Sequence, residues 1–519
     1  MKLANHHIFI LILLFFWVLF LRLPSLDQPF ENDSGAIAYH ARLVARGEPL
    51  YGTHHPGHHM PGSYYMYALA FKLGGETVRS VKVLLVLWVT ATVYLLYWLG
   101  IWIGNRRVGI LAAVFAAMLF SHIWLTGTNS RIESFVSLPQ IIAVLFLLAG
   151  LQNKEKIGWN FFAVGFFSAI TLLFKVNYVS TLALAGVALL LEWRTIGGKT
   201  GFVTAVRQGL WIVLGFFVGL LPALLYFAAL GLLPRFLAVF TLGLSYTGIR
   251  NDQLAGPIYI ILYPLLILSA NNAVIVISGL SGFIFSLPKN LLTTLRSPQA
   301  HPLPFVSYIG LWFLFCFMET AVSRIFLLNY YLVFVPSITL LAAWFLDKLY
   351  TDVALKARQR WVAPGLLGAI IAGIMLFSFI RHADYYSHFY LQYALGRESY
   401  TDFLIGGLPD GAGETQLALE GIATYLDEHT TSEDTIYYWS NIMQLYFLVD
   451  RRSSYDIIWP VYLGATQPLE QVFTATYILV GDYALGYDEP PDWFEQGLAE
   501  NYELETTLFD QQIYRHRNQ

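Results

Sequence analysis

The sequence predicts a polytopic α-helical membrane protein of about eleven transmembrane helices followed by a C-terminal extracytoplasmic α/β domain. Three observations carry that expectation. Of 519 residues, 56% are hydrophobic and only 13% charged, about half the ~25% charge of an ordinary soluble domain. Apolar runs longer than roughly 18 residues recur, and because they are continuous rather than alternating they specify helices and not a barrel. The charge is also divided, since residues 1–380 hold 25 Lys and Arg against 12 Asp and Glu, whereas residues 381–519 hold 6 against 22. A water-soluble globule is excluded, and the acidic tail offers no basic surface for nucleic acid. The expected partners of the first part include membrane lipids.

The spans are expected near 8–24, 80–103, 108–125, 134–151, 158–174, 177–192, 208–230, 257–286, 304–320, 325–345 and 361–380. The first lacks a small-residue cleavage site after Leu21-Arg22-Leu23-Pro24 and so reads as a retained signal anchor. Lys and Arg resist translocation. An inside N-terminus puts fourteen of them in cytoplasmic segments and five (Arg131, Lys175, Arg235, Arg250 and Arg324) in the opposite short loops. The odd span count then sends the tail, residues 381–519, outside together with a long first loop, 25–79. The expected location is the plasma (inner) membrane. The carboxylates outside the tail and the cytoplasmic loops, among them Glu31, Asp33, Glu133 and Glu319, all fall on that outer face, where the chemistry is expected. The lone cysteine, Cys316, lies inside an apolar run, so the tail has no disulfide. Within the tail, residues 414–428 have helical periodicity, and 435–439, 476–480 and two stretches within 502–516 read as strands rich in Tyr, Ile and Thr.

The first outer loop is too long for a passive connector and too aromatic for disorder. After Asp33, an apolar pattern through Ile37, Tyr39, Ala41, Leu43 and Val44 suggests a helix lying along the membrane surface. Asp33 or Ser34 then serves as its N-cap. Alternatively Asp33 is a general base, since a partly desolvated carboxylate beside Glu31 suits proton abstraction from a hydroxyl. Both roles are compatible. Farther on, His54, His55, His58 and His59 offer imidazoles that Asp33 or Glu31 could complete into a metal site. The spacing HHPGHH matches no established zinc signature, so substrate or headgroup contacts are the favoured reading, with a divalent cation left open and no other cofactor indicated. Tyr64, Tyr65 and Tyr67 suit either a sugar-stacking wall or interfacial anchoring.

Phe30-Glu31-Asn32-Asp33, then Ala45-Arg46-Gly47-Glu48-Pro49-Leu50-Tyr51, then Pro61-Gly62-Ser63-Tyr64-Tyr65 ending in Gly74-Gly75, resembles the opening of the GT-C membrane glycosyltransferases, closest to the bacterial protein mannosyltransferase-like and aminoarabinose transferase-like enzymes (glycosyltransferase family 39-like). Asn129 to Glu133, Leu172 to Lys175, and Ser323-Arg324 with Tyr330-Tyr331 and Pro336 extend the likeness, in order, over roughly residues 8–380. The resemblance implies a polyprenyl-phosphate sugar donor, a lipid, glycan or protein acceptor, Asp33 as catalytic base and Glu133 as a second acidic site. Ser34 stands where many members carry an acidic residue, a departure that bears more on an inherited metal site than on the base.

Transfer from a lipid phosphate needs a base for the acceptor and cations for the leaving group in a water-poor cavity. Lys175, Arg324 and Arg131 are the cations expected near the phosphate, with His59 beside them; snorkelling to headgroups is their alternative reading. Glu133 either orients a cation or the acceptor, or simply pairs with Arg131. Glu31, His58, Tyr64 and Tyr331 are further substrate-contact candidates. The expected activity is thus an inverting hexosyl- or pentosyltransferase. Its rivals are a transporter or flippase for a lipid-linked glycan and a non-catalytic glycan assembly protein, but transporters usually keep polar groups near mid-membrane.

Overall fold

The computed structural model describes residues 2–152, 157–249, 256–287, 303–322, 328–356, 361–374, 376, 380–408, 411–440, 442–460, 469–481 and 490–518. Helix α1 (Lys2–Arg22) leads to two short helices, α2 (Asn32–Ala45) and α3 (Gly62–Gly74). The bundle continues through α4 (Val78–Ile103), α5 (Arg106–Phe120), α6 (Ile132–Gln152), α7 (Ile157–Leu172), α8 (Ser180–Ile196), α9 (Gly198–Ala229), α10 (Leu233–Ile249), α11 (Pro257–Ser286), α12 (Phe305–Val322), α13 (Val335–Lys356) and α14 (Val362–Ile374). Among the described residues five helical stretches are long and apolar enough to cross a membrane, and shorter apolar helices fill out the bundle. Each expected span meets a helix.

Helix α10 forms between the seventh and eighth expected spans, where the sequence predicts an outer loop carrying Arg235. Arg235 leaves the helix for polar partners, donating to the carbonyl of Gly52 and pairing with Asp456 of the tail. A single cation at a helix start is cheap when its head finds acceptors.

The tail is an α/β unit. Its five strands, β1 (Thr435–Trp439), β2 (Arg452–Ser453), β3 (Tyr477–Val480), β4 (Tyr502–Leu508) and β5 (Gln511–His516), form one sheet of order β2-β1-β3-β5-β4. The pairs β1–β2 and β1–β3 are parallel, while β3–β5 and β4–β5 are antiparallel. The period of two sorts β1 and β3 between two cores. Tyr437, Trp439, Ile478 and Val480 pack with Phe494 and Tyr502 on one face. Ile436, Tyr438, Tyr477 and Leu479 belong to the same continuous core as the helix bundle.

The bridge between the two parts is α2. Helix α2, which the sequence places along the membrane surface, is almost wholly buried within the protein, with Ala38 and Ala41 at 0% exposure and even His40 at 1%. The tail covers it. Gly35 lies so close to Gln444 that a Cβ there would collide with that side chain. The Ser453 amide donates to the Tyr39 hydroxyl at 2.9 Å, Arg42 donates to the carbonyl of Phe447 at 2.9 Å, and the His55 amide donates to the carbonyl of Asp456 at 2.8 Å. The amphipathic pattern is present, and the apolar surface that α2 covers is protein.

Candidate active site

The polar groups gather where several helix ends meet. Arg22 at the end of α1 donates to the carbonyls of Phe120 and Gly127, and Lys82 of α4 donates to that of Thr128. These bonds fix the loop between α5 and α6 that carries Arg131. On the other side the Gly62 amide, at the start of α3, donates to the carbonyl of Leu173 at 2.7 Å, where any side chain would press against Phe174. That contact docks α3 against the corner holding Lys175.

The first turn of α2 is capped by Glu31, not by Asp33 or Ser34 as the sequence suggested. The Glu31 carboxylate accepts from the amides of Asp33 at 2.9 Å and Ser34 at 3.1 Å, and from the Ser34 hydroxyl. Glu31 occupies the N-cap position itself, one residue before the helix, and its carboxylate satisfies the free amides of the first turn. Asp33 is thereby released from capping. Its Oδ2 sits 2.7 Å from Nη1 of Arg131, and its side chain is 38% exposed.

Arg131 is the hub. Its Nε and Nη2 grip both oxygens of Glu31 at 3.1 and 2.8 Å, a bidentate pair, while Nη1 also reaches Oδ1 of Asn329 at 3.3 Å. Asn329 in turn donates through Nδ2 to Oε2 of Glu133 at 2.8 Å. Oε1 of Glu133 accepts from Lys175 Nζ at 2.9 Å and from the Tyr178 hydroxyl at 3.0 Å. Lys175 also lies over the Tyr330 ring, 3.7 Å from its centroid. An unbroken chain of polar contacts therefore runs from Asp33 through Arg131, Asn329 and Glu133 to Lys175. Burial opposes the charge on Arg131 and Lys175, but their carboxylate partners outweigh it and hold both above their ordinary values.

The structure brings together Asp33, Glu31, Arg131, Glu133 and Lys175 from the residues singled out in the sequence. His59, whose Nδ1 is 3.0 Å from the Tyr64 hydroxyl, joins their edge. Burial, and then the nearby Lys175, push its imidazole down to about 4, so it is neutral near pH 7 and acts as a hydrogen-bonding group rather than a cation. Tyr331 is fully buried beside this chain, one residue beyond Tyr330. Arg324 lies outside the described residues. The histidine cluster does not converge: His54 bonds the carbonyl of Ser453, His55 that of Arg235, and His58 packs on His59. Among the described residues no group of three or more His, Cys, Asp or Glu side chains is arranged to hold a metal ion. Sequence reasoning missed Asn329 as the link and Tyr178 as a partner of Glu133, and carried Tyr330 only as part of the resemblance, not as the ring under Lys175. The only signal of the first two was adjacency, Asn329 preceding the tyrosine pair and Tyr178 following Lys175 in the same corner.

No protein-family model and no curated protein matches the sequence. Solved structures do match its fold. Apo ArnT from Cupriavidus metallidurans aligns at 14% identity over 98% of this chain and 98% of that one, with a TM-score of 0.60. ArnT bound to undecaprenyl phosphate aligns at 13% identity over 99% and 98%, with a TM-score of 0.55. The Archaeoglobus fulgidus oligosaccharyltransferase AglB, in complex with an inhibitory peptide and a dolichol-phosphate, aligns at 11% identity over 92% of this chain and 69% of that one, with a TM-score of 0.54. The chain thus shares the fold of these ArnT and AglB structures, a bundle of apolar helices with a C-terminal domain.

Proposed function

We propose that this GT-C chain is a glycosyltransferase that moves a sugar from a polyprenyl-phosphate donor to an acceptor hydroxyl at the outer face of the membrane, with inversion. The observation that carries this reading is the chain of contacts joining Asp33 to Lys175, which couples a surface carboxylate to cations suited to a phosphate. That two structures of the same fold hold undecaprenyl phosphate and a dolichol-phosphate supports the donor class.

Asp33 takes the proton of the acceptor hydroxyl as its oxygen attacks the anomeric carbon. The bond from that carbon to the phosphate oxygen breaks, and the negative charge left on the lipid phosphate is met by Lys175 and Arg131, with the His59 ring as a neutral hydrogen-bonding neighbour. The resting cluster sets two cations, Arg131 and Lys175, against three carboxylates, Glu31, Asp33 and Glu133. An incoming phosphate therefore binds by exchange, competing with Glu133 for Lys175 and with Asp33 for Arg131. Taking Arg131 releases Asp33, so donor binding arms the base and precedes acceptor attack.

The test uses the full chain in liposomes with radiolabelled polyprenyl-phosphate sugars. Asp33→Asn is expected to slow transfer by about 10²- to 10⁴-fold, the usual worth of a general base, with donor binding retained. Unimpaired turnover would remove the assigned base. Lys175→Met is expected to weaken donor binding instead.

A further inference from the structure

Glu319 is a buried outer-face carboxylate that the transfer chemistry leaves unused. It sits in the last turn of α12, 6% exposed, and reaches across to the start of α8. Helix α8 has no cap of its own, since Val179 before it carries no acceptor. Glu319 supplies one from another helix: its Oε2 accepts from the Ser180 amide at 2.7 Å. A carboxylate placed there satisfies a free amide and meets the positive end of the helix dipole, an attraction that strengthens where water is excluded. The Gln140 carboxamide of α6 braces the pair, with Nε2 at 3.4 Å from Glu319 Oε1 and 3.3 Å from the Ser180 hydroxyl. Cys316, one turn before Glu319, brings its thiol to 3.5 Å from the same hydroxyl.

Backbone bonds carry this fixed point to Lys175. The Val179 amide donates to the carbonyl of Asn177 at 3.1 Å and the Tyr178 amide to that of Lys175 at 3.2 Å, so the chain from Ser180 back to Lys175 is a closed turn. The other side of the corner is held where the Gly62 amide meets the Leu173 carbonyl at 2.7 Å. Between these anchors Lys175 makes its 2.9 Å pair with Glu133. That pair is the contact an incoming phosphate displaces, and the Glu319 anchor shares no atom with it. Glu133 and Gln140 lie two turns apart on one face of α6, so the exchanging group and the anchor are referred to the same helix.

We propose that Glu319 is a positioning residue for the transfer: by capping α8 from α12 it keeps the α7–α8 corner still while Lys175 gives up Glu133 for the donor phosphate. Without it the corner shifts along with the side chain, and the ammonium meets the phosphate out of place. A misplacement of about 1 Å can cost up to about 10²-fold, so a carboxylate that never touches the donor governs how well the donor is held. The inference rests on the transferase reading, which supplies the phosphate, and adds a residue that reading does not use.

The test is equilibrium binding of radiolabelled undecaprenyl phosphate to the full chain in phosphatidylcholine nanodiscs. Glu319→Ala is expected to weaken binding by about tenfold. In a Lys175→Met chain the same change should have little further effect, because the two act through one group. Glu319→Gln and Glu319→Asp separate reach from charge, and they decide the matter even where Glu319→Ala fails to fold. The carboxamide keeps an oxygen within reach of the Ser180 amide and should retain most of the affinity; the shorter carboxylate keeps its charge but not its reach and should lose it. Hydrogen exchange at the Ser180 amide should rise in step with the lost affinity. Unchanged affinity in Glu319→Ala with a lowered Tm would mark a merely structural cap and overturn the inference. So would an equal loss with and without Lys175, or an Asp variant that binds better than the Gln variant. The expected pattern of binding losses without any sugar transfer from a lipid-linked donor would sink the transferase reading and leave the positioning role standing.

Discussion

Glu133 is only 2% exposed, and its partners Lys175, Tyr178 and Asn329 all converge on it. Truncating one partner of a buried charge pair costs about 3–5 kcal/mol because the other is left uncompensated. Glu133→Ala should therefore lower thermal stability sharply, and Lys175→Met in the same chain should restore part of it. A cycle of the two single variants and the double variant, followed by thermal unfolding, measures the coupling; additive effects would show that the pair is independent. Two buried histidines give a pH test. Burial holds His40 down at about 3 and His59 at about 4, against an ordinary 6.5. The unfolded chain thus takes up these protons first, so the stabilisation is complete above pH 6.5 and is lost as pH falls from there toward 4. Tm should drop across that window, and His40→Gln should flatten the drop.

At the scale of elements, α2 depends on a cap supplied from outside its expected start. Glu31→Ala removes two amide acceptors and the bidentate partner of Arg131, so it should cost about 1 kcal/mol through the cap alone and speed hydrogen exchange at the Asp33 and Ser34 amides. Equal exchange in both proteins would refute the capping role. Asp33 could be picked out in the sequence as the acid heading an apolar helical pattern, and Lys175 as a lone cation at a corner between spans. Whether that acid would be spent on capping could not be read there, since residues 31, 33 and 34 all carry competent side chains and only three-dimensional reach decides between them. The burial of α2 was hidden for a similar reason. Its apolar stripe looks the same whether lipid or protein covers it, and its cover comes from residues 443–453, far along the chain. Helix α10 lies where the sequence predicts a loop, and its Arg235 likewise finds its partners far along the chain.

For the molecule as a whole, the sheet of the tail shares a core with the membrane helices, and ion pairs reinforce the joint. Arg46 bridges Glu76 at 2.6 Å and Asp450 at 2.8 Å, and Arg42 lies 3.0 Å from Asp450. The exposed Arg46 pairs contribute little individually, and Arg42, though buried, is a single contact, so the shared apolar core carries most of the attachment. Removing residues 400–519 should accordingly expose α2 and abolish transfer, with raised hydrogen exchange across residues 32–55; retained activity in the shortened chain would show that the tail is dispensable. Polytopic architecture and the α/β character of the tail follow from composition and periodicity, whereas the order of the polar motifs comes from the family resemblance. The joining of the two parts follows from neither, because it depends on pairings that no local pattern encodes.

The bond between Tyr39 and the Ser453 amide joins residues 414 positions apart, and that between Asn32 and the Met443 amide residues 411 apart. A ribosome threading this protein into the bilayer delivers α2 long before the strands that cover it. Newly made helices must wait for that cover until the final quarter emerges, and a prematurely terminated product would leave α2 open.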